Sequence, residues 1–252
     1  ATQARALRAA NTRANLENEL FGMYMDDNFI AKAEAWKQRH GGKKAGYREM
    51  IPGDDFDLGE DGSALYYADW DVVGIMFRDW KPAQSHNISI QGTSGKTSYF
   101  LSVGYNHEEG VMTFNPDKLN KYNANMNVTS DITNWLQIGG RFSYSDKAYT
   151  TPNTRRNTYT YMWRWGSFFG PYGTYQGIDM KNDIAYLKQA GDDKTNDSYT
   201  RIGAFLKATI IKGLTLNADY TFNINNKTTK SVGLPVICWN SWGGKLNTPT
   251  TA

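Results

Sequence analysis

Five carboxylates crowd one short stretch: Asp54, Asp55, Asp57, Glu60 and Asp61. Paired carboxylates serve glycoside hydrolysis as acid and base, and oxygen-rich loops hold calcium. The EF-hand spacing is absent, and adjacent carboxylates are common in loops, so a solvated acidic loop is the expectation. His40, His86 and His107 show no metal-ligand spacing. Cys238, the single cysteine, has no redox motif or nearby histidine beside it, and no nucleophile elbow is present. Gly92-Thr93-Ser94-Gly95-Lys96-Thr97 resembles the tail of a phosphate-binding loop, but Ile90 stands where the first glycine is needed and a strand follows instead of a helix. A tight turn is the expectation there. The chain is therefore not expected to be an enzyme, and no cofactor or metal is expected.

Binding chemistry is easier to find. Tyr159, Tyr161, Trp163, Arg164, Trp165, Phe168, Phe169, Tyr172 and Tyr175 form one aromatic run with an arginine inside it. Aromatic faces stack on sugars, and a guanidinium pairs with acidic groups. Tyr161, Trp163, Arg164, Trp165 and Tyr172 are the substrate-binding candidates. The competing reading is that a long loop needs these rings to pack its own base. Trp36, Trp70 and Trp80 read as anchors of loop cores.

The elements that position these residues fall into two regimes. Residues 1–85 read as helix and loop: a helix within 4–24, a second from the Asp26-Asp27-Asn28 cap to Gly41-Gly42, and a short one capped by Asp69. From His86 the period becomes two, giving six strands near 86–92, 97–107, 120–130, 134–146, 199–210 and 213–225. One face carries Tyr99, Leu101, Val103, Tyr105, then Tyr122, Ala124, Met126, Val128, and continues through Phe142, Ile202, Leu216 and Phe222. That face is expected to be free of charge. The opposite face is rich in Asn, Ser and Thr, which suits a hydrated wall better than the Lys and Glu of a soluble sheet.

Short links at 92–96, 130–134 and 211–213 alternate with long ones at 108–119 and 147–198. All short turns then fall at one end of the sheet, the arrangement of outer-membrane barrels. Tyr105, Tyr122, Tyr144, Tyr220 and Phe222 are expected at the long-loop ends, as a girdle at a membrane interface. The 28 basic and 25 acidic residues are too balanced to argue for a nucleic-acid partner. No run of about 18 apolar residues exists that would make a transmembrane helix. The alternative is a soluble carbohydrate-binding β-sheet module, which requires a second layer over the apolar face. A glycosidase is a third reading, resting on the acidic loop alone.

The ordered series Asp69-Trp70, Met76-Phe77-Arg78, Gln84 to Gly92, Ser98 to Tyr105, Glu109-Gly110-Val111, Lys121 to Val128 and Asn134 to Gly139 resembles the SusC/RagA family of TonB-dependent outer-membrane transporters of Bacteroidetes. The likeness is dense over 66–146, looser to 225 and weak outside. It implies an all-β transmembrane barrel of 22 strands, of which this chain would supply about six antiparallel ones. Residues 1–85 would be a helical first external loop, and 86–252 a partial barrel with a long external loop at 147–198. The family imports oligosaccharides, peptides or similar nutrients, draws energy from TonB, and is covered by a SusD-like lipoprotein. The implied partners are that lipoprotein, the TonB complex, the nutrient and outer-membrane lipid. A chain that starts at Ala1 and holds six strands is expected to be a piece of such a protein.

Overall fold

A computed structural model of the chain describes residues 2–14, 16, 19–20, 23–154, 157–158, 160, 170–240, 245–246 and 248–251; for 3, 4, 19, 20, 23 and 24 it describes the backbone alone. Six strands form one antiparallel sheet in chain order: β1 (Ala83–Ser94), β2 (Thr97–Glu109), β3 (Lys118–Asp131), β4 (Leu136–Pro152), β5 (Asp192–Ile211) and β6 (Leu214–Ser231). The edge strands β1 and β6 are not hydrogen-bonded to each other, so the sheet is open. No described helix is long and apolar enough to cross a membrane.

The turns are set by glycine. Ser94 pairs with Thr97, leaving Gly95 and Lys96 as a two-residue hairpin loop with Gly95 at φ 61°. A positive φ at the first loop position matches the right-handed twist of the strands and costs glycine nothing. The Gly92–Thr97 segment is thus a tight turn between strands. Gly213, at φ 88°, closes the β5–β6 turn beside an irregularity in register at Thr209/Ile211.

Pairing puts one apolar residue of every strand into a single row: Ile90, Leu101, Met126, Phe142, Ile202 and Phe222. The row toward the turns is Gly92, Tyr99, Val128, Gly140, Ala204 and Tyr220. Nothing described covers this face: Ile88, Leu216 and Tyr220 are 72%, 55% and 73% exposed. Two expectations need correction. Asp146 lies on this face between Tyr122 and Ser198, so the face is not free of charge; the apolar band ends at Tyr144 on β4. Tyr220 and Phe222 sit in mid-strand, because β6 runs on to Ser231.

The band is oblique to the hydrogen-bonded rows. On β2 it spans Tyr99–Tyr105; on β6 it spans Leu214–Ile224. The partners of Tyr99 and Tyr105 across the sheet are Tyr220 and Asn226. The foot of the band therefore falls by about six residues and its top by about two over four strand steps, or about one residue per strand. With strands about 4.8 Å apart and about 3.3 Å per residue, this is the stagger of strands tilted by roughly 35°. The descending aromatics Tyr105, Tyr122, Tyr144 and Phe222 follow the same slope.

The chain outside the sheet gathers at the end opposite the tight turns. Helix α1 (Thr2–Arg13) is tied to α2 (Asp27–Arg39) by Arg5–Glu34 at 2.8 Å and by Arg8–Asp27. Helix α1 is shorter than expected: Leu16 N–H bonds to Asn11 O and closes it. The carboxylate of Asp26 accepts from Phe29 N at 2.7 Å and caps α2, which buries Phe29, Ile30, Ala33 and Trp36. Gly41 and Gly42, both at positive φ, end it. The third helix, α3, is one short stretch (Val72–Met76) capped by Asp71 rather than Asp69. Helix α4 (Asp183–Gln189) is capped by Asn182. Residues 25–76, Met112, Tyr172, Met180, Ile184, Leu187, Trp239 and Leu246 contribute to one buried core. Of the described residues after Ser231, Trp239 and Leu246 join this core, and Val236 and Cys238 pack against Ala185 and Ala190.

Candidate functional site

The polar face of the sheet is the first part of the site. Asn125 Oδ1 accepts from Ser143 Oγ at 2.8 Å. Tyr199 Oη and Arg201 Nε both donate to Asn223 Oδ1, at 2.9 and 3.0 Å. Cross-strand bonds of this kind fix side chains whose other donors and acceptors still face outward. The face is not uniformly polar: Phe100 and Phe205 lie on it. Phe205 covers Gly139, its direct partner on β4; a methyl group at Gly139 would lie 2.2 Å from Phe205 Cε1 and 2.8 Å from Val128 O. The Arg141 guanidinium stands 4.7 Å over the Phe205 ring and bonds Asp219 at 3.1 Å. Gln137, Arg141, Phe205, Lys207, Asn217 and Asp219 line a hollow of about 280 Å³ there. Such a wall can hold a hydrated, hydrogen-bonding ligand.

The loop core is the second part. The acidic stretch does not form one site, because its carboxylates point to different cations. Asp54 bonds Arg39 at 2.9 Å and His40 at 3.0 Å. Asp57 bonds Lys32 at 2.8 Å, and Asp61 bonds Lys245 at 2.8 Å. Asp55 departs from the solvated-loop expectation altogether. It is 1% exposed and accepts from Arg48 at 2.6 and 2.7 Å, from Ile51 N at 2.9 Å and from Trp36 Nε1 at 3.0 Å. Burial raises its pKa, but the Arg48, Ile51 and Trp36 donors outweigh that and hold it below the usual carboxylate value. Among the described residues no group of His, Cys, Asp and Glu is placed to hold a metal.

A third polar knot joins the loops to each other. Lys188 Nζ, on α4, bonds Tyr47 Oη at 2.7 Å and Asp179 Oδ2 at 2.8 Å, and Tyr47 Oη donates to Asp179. Burial raises the Tyr47 pKa, and the Asp179 carboxylate adds to the effect. Asp183 is half-buried, no cation among the described residues bonds it, and burial pushes its carboxyl up to about 7.

Of the substrate-binding candidates, Tyr161, Trp163, Arg164 and Trp165 lie outside the described residues. Tyr172 is 4% exposed within the loop core, and burial raises its hydroxyl pKa. A ring so enclosed presents no free face for stacking. Neither Arg141–Phe205–Asp219 nor Arg48–Asp55 stood out in the sequence. The first needs strand register to be seen, and the second was hidden inside an acidic run.

No family model matches the chain, and no curated relative matches it by sequence. Solved structures do match. The RagAB peptide importer in its closed-closed state superposes with a TM-score of 0.52 and 21% identity, over 73% of this chain and 21% of that one. A second structure of the RagAB peptide transporter gives a TM-score of 0.49 and 22% identity, over 65% of this chain and 20% of that one. The chain thus spans about a fifth of the length of these proteins. The fold is similar to a stretch of the closed-closed RagAB importer: an antiparallel six-stranded sheet with its large loops at one end.

Proposed function

We propose that this chain is part of an outer-membrane transporter of the SusC/RagA kind, with its apolar sheet face in lipid and its polar face toward a hydrated lumen. The observation that carries this is the row Ile90–Leu101–Met126–Phe142–Ile202–Phe222, which crosses all six strands on a face nothing described covers. An uncovered apolar sheet of this width is costly in water and stable in hydrocarbon. The apolar stretches Leu136–Tyr144, Ile202–Ile210 and Leu214–Ile224 reach the roughly 9–11 residues of a tilted crossing.

The transported nutrient is a peptide or oligosaccharide. Peptides are the first choice, because the superposable protein is named as a peptide importer. Import is gated and involves no covalent chemistry. The loop core stands at the external mouth, where a SusD-like lipoprotein closes over it, and parts of the protein beyond this chain take energy from TonB. Deleting the gene in its native host and measuring uptake of labelled oligopeptides tests the reading. Loss of uptake restored by the wild-type gene supports it; unchanged uptake of peptides and oligosaccharides alike contradicts it.

The reading as a soluble carbohydrate-binding module needs a layer over the apolar face. The described loops pack together at the end of the sheet and leave that face bare, which favours the membrane reading.

A further inference from the structure

Beyond the aromatic girdle the strands continue on the same face as the apolar band. The next paired row, His107, Asn120, Ala148, Asn196 and Thr228, carries no carboxylate and no ammonium. The row after it is Glu109, Lys118, Thr150, Lys194 and Lys230. Lys194 stands directly opposite Lys230, with Lys118 two strands away, and all three are exposed. Like charges facing each other across a ladder destabilise it unless something neutralises them. Glu109 faces Lys118 across the ladder and shares its charge with Arg78, which it bonds at 2.9 Å, while Asp192 accepts from Asn115 at 2.9 Å; neither acid pairs directly with Lys194 or Lys230. Asp146 lies lower, at the level of Tyr122.

The height of the lysines narrows the counter-ion. Lys118 is four residues beyond Tyr122, and Lys230 is six beyond Ile224. Along strands tilted by roughly 35–45° these are roughly 10–15 Å above the band edge. An ordinary phospholipid headgroup layer is only about 5–7 Å thick on each side. We propose that Lys118, Lys194 and Lys230 bind the headgroup of an anionic glycolipid whose acyl chains lie on the apolar band. Its sugars lie against Asn120, Asn196 and Thr228, and its outlying phosphates or carboxylates reach the lysines. The proposal rests on the membrane reading of the apolar face.

The test reconstitutes the full chain into phosphatidylcholine vesicles containing a minor fraction of either phosphatidylglycerol or a phosphorylated lipid A glycolipid. Protein is re-extracted in mild detergent and the bound lipid is quantified. The glycolipid is expected to be enriched over its bulk fraction, and phosphatidylglycerol much less so. The enrichment should fall by about fivefold for each lysine removed in the series K118Q, K194Q, K230Q at low salt, and shrink in high salt. Equal enrichment in the triple variant, or equal enrichment of both anionic lipids, overturns the proposal while the chain still enters the vesicles. Failure of the wild-type chain to enter any vesicle overturns the membrane reading and this proposal with it.

Discussion

Arg48 holds Asp55 with both terminal guanidinium nitrogens, at 2.6 and 2.7 Å, inside a loop core where Asp55 is 1% exposed. The bond locks residues 48–55 to Trp36 on α2, because the same carboxylate accepts the indole N–H at 3.0 Å. Asp55→Ala removes one acceptor and strands three donors, one of them charged. A loss of about 3–5 kcal/mol from the loop core is expected, measurable as loss of protease protection over residues 25–76. Asp55→Asn should lose less. Because the folded pKa of Asp55 is depressed, its contribution is complete above the ordinary carboxylate pKa of about 4 and disappears as pH falls through the folded value.

Asp183 behaves in the opposite sense. Burial raises its folded pKa to about 7, so the folded state keeps a proton that the unfolded chain gives up near pH 4. Its effect on stability is absent at low pH and becomes unfavourable as pH rises from about 4 to about 7. Asp183→Asn is expected to leave the loop core unchanged at pH 4 and to stabilise it at pH 8, by an amount of order 1 kcal/mol or more. Thermal melts at the two pH values check this.

Gly139 exists to make room for Phe205. A Cβ there meets the ring at 2.2 Å and the backbone oxygen of Val128 at 2.8 Å. Gly139→Ala should destabilise the β4–β5 pairing by about 1–3 kcal/mol, with faster amide exchange at Phe205 and Lys207. Adding Phe205→Ala should recover only part of this, because the clash with Val128 O remains.

The two faces should respond differently to the same charge. Met126 lies in the middle of the apolar band, and Asn125 is its neighbour on the polar face. Met126→Lys is expected to cost about 2–4 kcal/mol in a bilayer, read as reduced yield of membrane-inserted protein. Asn125→Lys should insert as well as wild type.

Much of this was legible in advance, for one reason: a sheet with one apolar and one polar face prints its period on the chain. The alternation Tyr99-Leu101-Val103-Tyr105 against Ser98-Ser102-Asn106 fixes strand, face and turn together. The strand ends were not legible. Lys147–Pro152 and Asp192–Ser198 are strand, so the long loop between β4 and β5 covers 153–191 rather than 147–198. These residues are mostly polar on both faces and are held by ladder bonds, which leave no hydrophobic period. Asp55 was hidden for a related reason, since an acidic run reads as solvated until the arginine that pairs with it is found. Tyr172 showed its aromatic type but not its burial, which depends on contacts distant in sequence.

The central claim is that the apolar face meets lipid. Nitroxide labels at Leu101, Ser102, Asn125 and Met126, in a Cys238→Ser background, test it in the bilayer-reconstituted chain. The account predicts high accessibility to oxygen and low accessibility to a water-soluble nickel complex at Leu101 and Met126, with the reverse at Ser102 and Asn125. Equal accessibility on both faces, or nickel access at Leu101 and Met126, would contradict it.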